Sequence, residues 1–154
     1  MFLQVLDRAS AHAVTHREPY AVISITDPGH KHPQLVASPS CKGVLALHFS
    51  DVDERFARLN VRTPHVVAFS PDMAREVALF VRRQIESGVR LFVVHCEAGR
   101  SRSAGVASAL SRHYNGEEGH FTSNYRPNPW VRKLLLEALA PEDASLDEQD
   151  SVHS

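Results

Sequence analysis

With two cysteines and one tryptophan in 154 residues, this chain lacks the raw material of several protein classes. Cys41 and Cys96 are too few for a disulfide framework, so a reduced compartment, the cytoplasm, is the expected setting. No apolar run approaches the ~20 residues that span a bilayer. The opening MFLQVLDR has neither the basic region nor the apolar length expected of a signal peptide. Internal repeats and an interdomain linker are also missing, and the length suits one domain with a real core. Neither sign of charge dominates, the net being −1. From Pro141 onward there are five acids and no Lys or Arg, which leaves 17 basic and 13 acidic residues in 1–140. A mildly basic body suits an anionic substrate and falls well short of a nucleic-acid-binding footprint. The expectation is a domain over 1–140, an acidic disordered tail over 141–154, no nucleic-acid or membrane partner, and a monomer.

What is present alternates between strand and helix signals. Phe2–Leu6, Tyr20–Thr26 and Leu91–Val94 read as strands, and Gly43–Phe49 is apolar enough for a central strand covered on both faces. Pro64–Phe69 is a further short apolar run. Helices are expected over Ala9–His16, from Ser70-Pro71 to about Ile85, over Arg102–Tyr114, and after Asn128-Pro129. Glu117–Tyr125 reads as loop. The order is that of an α/β domain.

The decisive stretch is Arg90–Val106, RLFVVHCEAGRSRSAGV. An apolar strand ends at His95-Cys96, small and polar residues follow, and a helix-compatible run opens near Arg102. A short loop closing into a helix N-terminus aims its backbone N–H groups at one concavity. Here those groups belong to Glu97, Ala98, Gly99, Arg100, Ser101 and Arg102, and phosphate oxygens fit such a nest. Gly99 allows backbone angles and a close approach that a side chain forbids. Arg102 supplies a planar fork for two phosphate oxygens. A thiol at the base of the nest is expected to ionise near neutral pH, making Cys96 a nucleophile for in-line attack on phosphorus.

His95-Cys96, five residues, then Arg102-Ser103 resembles the active-site motif of the cysteine-dependent protein tyrosine phosphatases, strongly over Val93–Val106 and loosely over Phe2 to about Ala140. The likeness is to small prokaryotic members near the dual-specificity branch. It implies a central, mostly parallel sheet of four or five strands flanked by helices, with the Cys loop at the sheet's C-terminal edge. It also implies Cys96 as nucleophile, Arg102 and the loop amides as the phosphate clamp, Ser103 bonded to the sulfur, and His95 orienting the loop. No cofactor and no metal are implied. The family's general acid is an Asp on a loop before the Cys. Asp51, just past the Gly43–Phe49 strand, is the first choice and Asp53 the second, although either can instead cap a short helix over Asp53–Leu59. Asp72 is expected to serve the N-terminus of its own helix.

The implied substrate is a phosphorylated protein or peptide, with phosphotyrosine preferred and some phosphoserine/threonine activity. Arg100 opens an alternative, a polyanion such as a phosphoinositide or an RNA 5′-phosphate, unless it pairs with Glu97. Rhodanese-like sulfurtransferases share a Cys-x5-Arg loop but usually lack Gly-x-x-Arg-Ser. Low-molecular-weight tyrosine phosphatases carry the loop near the N-terminus. A non-catalytic phosphoresidue-binding module normally lacks the Cys or the Arg, and this chain has both. Three minor candidates complete the reading. His12 and His16 have the spacing of a metal pair, with a plain surface role favoured. Cys41 can be considered as an oxidative partner for Cys96. Trp130 and Arg126 can border the pocket, with packing the safer role.

Overall fold

The computed structural model describes residues 1–59, 63 and 65–140, so the expected acidic tail and Pro64 lie outside the described residues. Four strands, β1 (Phe2–Leu6), β2 (Tyr20–Thr26), β3 (Cys41–His48) and β4 (Leu91–His95), form one sheet in the order β1-β4-β2-β3. Every pairing is parallel. The helices are α1 (Arg8–His12), α2 (Glu54–Arg58), α3 (Pro71–Glu86), α4 (Arg102–Asn115), α5 (Gly119–Asn124) and α6 (Pro129–Leu139). The chain is therefore an α/β domain with a parallel sheet flanked by helices, as its alternating pattern predicts. None of these helices is long and apolar enough to cross a membrane.

Side-chain alternation divides the sheet between two layers. Ala21, Ile23, Ile25, Phe92 and Val94 join Val77, Val81, Val106, Leu110 and Leu135 in the main core, beneath α3, α4 and α6. Tyr20, Val22 and Val93 face the other way, against Val14, Leu35 and Cys41. Helix ends follow local chemistry. Ser70 Oγ accepts from Met73 N–H at 3.2 Å, with Pro71 in the first turn, and Asn128 Oδ1 accepts from Trp130 and Val131 N–H. At the other end of α4, Gly116 takes φ +76°, a left-handed stop.

Three expectations need correction. β3 is an edge strand rather than a central one, and its Lys42, Val44, Ala46 and His48 are exposed. Its apolar run reflects Val44 and Ala46 on an uncovered face, since the thin second layer ends over β2 and β4. The Pro64–Phe69 run adds no fifth strand among the described residues, which show only an isolated Thr63–Val66 bridge. Phe69 nonetheless enters the core against Phe49. The first helix stops at His12 rather than His16, and the expected loop after Gly116 contains α5.

α4 can cross α6 closely because position 105 has no side chain. A Cβ there would stand 2.9 Å from the Asn128 carbonyl oxygen and 3.1 Å from Val131 Cβ. Gly105→Ala therefore sets an overpacking cost of about 1–3 kcal/mol against about 1 kcal/mol of improved helix propensity. The expected net loss is about 1 kcal/mol in denaturant unfolding. A gain in stability would mean the crossing has slack.

Candidate active site

The loop between β4 and α4 is fixed from outside by its carbonyls. Glu97 C=O accepts from Arg8 N–H at 3.1 Å, Arg100 C=O from Arg126 N–H at 3.0 Å, and Ser101 C=O from Gly105 and Asn128 N–H. In a planar trans peptide, the next residue's N–H points opposite to each carbonyl. The N–H groups of Ala98, Ser101 and Arg102 accordingly turn away from the outer elements, toward the inside of the loop. Gly99 holds φ +66°, and a Cβ there would lie 2.6 Å from Asp7 N and 2.7 Å from Leu6 C. Both the left-handed backbone and the seat on the end of β1 demand glycine. That seat tightens the loop until Gly99 N–H donates to Cys96 Sγ at 3.2 Å. Ser103 Oγ lies 3.1 Å from the same sulfur, and Cys96 as a residue is 2% exposed.

Arg102 begins α4 and is 6% exposed. Its Nη1 donates to Asp27 Oδ1 at 2.6 Å and to Phe49 C=O at 2.8 Å. Its Nε is buried without any partner. One edge of the guanidinium is thus tied down, while the donor capacity of Nε, which suits a planar acceptor such as an oxyanion, is unused. Asp27 directly follows β2, in an Asp-Pro-Gly stretch that reads in sequence only as a turn. Its carbonyl closes an Asp27–His30 turn at 3.1 Å over Pro28 and Gly29, the latter at φ +81°.

The two strand-end carboxylates separate cleanly. Asp51 Oδ1 accepts from Ser101 Oγ at 2.8 Å and from Asn128 Nδ2 at 2.7 Å, which holds the carboxylate against the Cys loop. Asp53 instead caps α2, accepting from Phe56 N–H at 2.9 Å. Asp72, in the first turn of α3, pairs with Arg75. Asn128 was missed as a site residue. It caps α6, anchors Asp51 and donates to Val52 C=O at 3.0 Å.

Arg100 does not pair with Glu97, whose carboxylate faces Arg8 at 3.9 Å. Neither Arg100 nor Arg126 forms an ion pair among the described residues. Together with Asp7, Ser10 and Tyr125 they line a groove of about 480 Å³ beside the loop. Trp130 belongs to packing, its Nε1 donating to Phe69 C=O at 2.8 Å.

No protein-family model matches the chain, and no curated protein sequence does either. Solved structures do. The human tyrosine phosphatase-like serine/threonine/tyrosine-interacting protein aligns over 91% of this chain and 92% of its own, with TM-score 0.60 and 16% identity. Human DUSP28 aligns over 93% and 94%, with TM-score 0.50 and 17% identity. The fold is that of the dual-specificity phosphatases. In this phosphatase fold the Cys loop occupies the expected C-terminal edge of the sheet, with Asp27, Asp51 and Arg102 converging on it.

Two minor candidates fall away. Cys41 starts β3 opposite Tyr20, whereas Cys96 follows the β4 residue that pairs with Ser24, so the sulfurs lie at opposite ends of the strands. Several residues of strand separate them, at about 3.3 Å each, far beyond disulfide reach. His12 bonds the Gln34 carbonyl, and His16 lies outside α1 with Nε2 2.7 Å from Gln4 Oε1, so the pair shares no helix face.

His95 is fully buried, its Nδ1 3.4 Å from Cys96 C=O and its Nε2 2.6 Å from Ser24 Oγ. Burial, reinforced by the charges of His32 and Arg8, lowers its pKa from 6.5 to about 4. The unfolded chain takes up a proton below pH 6.5, and the native site refuses it until about pH 4. His95 therefore supports stability above that window and withdraws support as pH falls through it, by on the order of 3 kcal/mol. Thermal melts of wild type and His95→Asn between pH 7 and 4 should converge as pH drops. A constant difference across that range would contradict the buried neutral ring.

Proposed function

We propose that this protein is a phosphomonoester hydrolase, a protein-tyrosine or dual-specificity phosphatase working through a cysteinyl-phosphate on Cys96. The observation that carries this reading is the unpartnered buried Nε of Arg102, in the same loop that presents Cys96 Sγ to Gly99 N–H and Ser103 Oγ. Such an arrangement suits a trigonal or tetrahedral oxyanion held over a sulfur nucleophile.

In the first step Sγ attacks phosphorus, the ester P–O bond breaks, and Asp51 delivers a proton to the departing oxygen. Oδ1 of Asp51 is occupied by Ser101 and Asn128, which leaves Oδ2 to carry that proton. In the second step Asp51 takes a proton from water, the water oxygen bonds phosphorus, and the S–P bond breaks to release inorganic phosphate. Arg102 and the amides of Glu97, Ala98, Arg100, Ser101 and Arg102 bear the charge on the equatorial oxygens in both steps, while the Gly99 amide serves the sulfur. The Ser103 hydroxyl, 3.1 Å from the sulfur, stabilises it as a leaving group.

Phosphotyrosine peptides are the favoured substrates. Arg100 and Arg126 support a second reading, a polyanionic substrate, because both border the adjacent groove without an ion-pair partner among the described residues. The phosphatase-like, interacting protein among the structural neighbours keeps a third reading in play, a module that binds phosphoresidues without hydrolysing them. Retention of both Cys96 and Arg102 argues against it.

Activity on an aryl phosphate, a phosphotyrosine peptide and a phosphoinositide separates these readings. Cys96→Ser should lose at least ~10³-fold in kcat with each substrate used; turnover at the wild-type rate removes the nucleophile. Asp51→Asn should flatten the alkaline limb of the pH–rate profile and cost ~10²–10⁴-fold, with Asp53→Asn acting through stability alone. The reverse pattern would transfer the acid to Asp53. Inorganic phosphate should also raise the melting temperature of Cys96→Ser, by mass action, but not that of Arg102→Ala. Equal shifts in both variants would mean the anion binds elsewhere.

A further inference from the structure

A chain of side chains leads away from the cysteine. His95 Nδ1 faces Cys96 C=O at 3.4 Å, and His95 Nε2 meets Ser24 Oγ at 2.6 Å. Ser24 Oγ meets His32 Nδ1 at 2.7 Å, and His32 Nε2 meets His48 Nε2 at 3.1 Å. His48 Nδ1 then faces Asp27 C=O at 3.3 Å. Both ends of the chain are backbone carbonyls, which only accept.

We infer that this five-contact chain holds one proton more than its neutral members supply, and that the extra charge resides on His48, between the cysteine strand and the anchor of Arg102. The count is elementary. Five hydrogen bonds need five hydrogens, and three neutral imidazoles plus one hydroxyl offer four. The terminal carbonyls leave no freedom in the direction of the outer bonds. Cys96 C=O requires Nδ1–H on His95, so Ser24 donates to His95 Nε2 and accepts from His32 Nδ1–H. His32 Nε2 is then an acceptor, and His48 must donate through both nitrogens.

The surroundings favour that placement of the charge. His95 and Ser24 are buried, His32 is half-buried and His48 is exposed on the open face of β3. Burial lowers the affinity of both His95 and His32 for a second proton. The other charged groups facing the chain are Arg8, Glu97, Asp27 and Arg102. Arg8 donates to Thr26 Oγ1 and Lys31 C=O and repels charge on His32 and His95. Glu97 lies 3.9 Å from Arg8, and the Asp27 carboxylate is taken by Arg102. A cation on His48 thus ties the end of β3 to the ends of β2 and β4 and adds positive potential behind the Cys96 loop. His48 and His32 are positioning residues here, since neither touches the loop's concavity.

Two measurements on the full chain test the assignment. Long-range proton–nitrogen correlation on histidine-labelled protein at pH 6 should show His95 and His32 protonated on Nδ1 alone and His48 on both nitrogens. A second proton on His95 or His32, or a singly protonated His48, overturns the count. The rate of Cys96 alkylation by iodoacetate between pH 5.5 and 8 supplies the functional arm. His48→Gln should slow alkylation roughly threefold at pH 6 relative to wild type. His48→Lys, which keeps a charge and a donor to His32 Nε2, should restore the low-pH rate. Superimposable profiles for wild type and His48→Gln overturn the link to the cysteine. The functional arm rests on Cys96 being the proposed nucleophile, but alkylation does not require phosphatase turnover. Failure to hydrolyse aryl phosphate with the proton count intact would sink only the phosphatase reading.

Discussion

The rest of the site depends on how a buried guanidinium is held. Arg102 carries a full charge at 6% exposure, which is costly unless paired and hydrogen-bonded. Asp27 and the Phe49 carbonyl supply the pairing. Asp27 follows β2, Phe49 follows β3 and Arg102 opens α4, so one side chain joins three elements at the sheet's C-terminal edge. The compensation is incomplete. A buried N–H left without an acceptor costs about 1–3 kcal/mol, and Nε of Arg102 is in that condition. An apolar side chain of similar volume would stabilise the fold better. The free edge has a physical rationale through what it can bind.

The loop that accompanies it is organised by the same logic of satisfied outsides. α1, the segment before α6 and the first turn of α4 all donate to loop carbonyls. Peptide planarity then dictates where the amides point. The sheet order supplies the crevice. The chain leaving β1 covers one face through Val14, and the chain leaving β4 passes to the other as α4. Neighbouring strands whose connections diverge in this way open a cleft at their C-terminal ends.

Legibility in the sequence tracked how local each feature was. The motif, the glycine at 99 and the caps at Ser70 and Asn128 involve residues a few positions apart, and they read directly. Asp27 and the other half of Asn128's role did not, because their partners lie 75 and 77 positions away. β3 was misjudged for a different reason. A run containing Gly43, Val44 and Ala46 looks buried on both faces by composition, yet only tertiary context reveals that Val44 is 49% exposed. Cys41 could be paired with Cys96 on paper because sequence says nothing of which end of a strand a residue occupies.

The choice between Asp51 and Asp53 illustrates the limit more sharply. Both follow the same strand, and both can cap the short helix that comes next. Between them the backbone is irregular rather than a continued strand, with Val52 N–H donating back to Ser50 C=O at 3.0 Å. Asp53 turns toward the N–H of Phe56 and is consumed by α2. Asp51 instead meets Ser101 and Asn128, which are themselves fixed by the loop and by the cap of α6. A general acid must sit within hydrogen-bond reach of the leaving oxygen before its proton affinity matters. Of these two carboxylates Asp51 is the one that touches the loop, through residues positioned for other structural work.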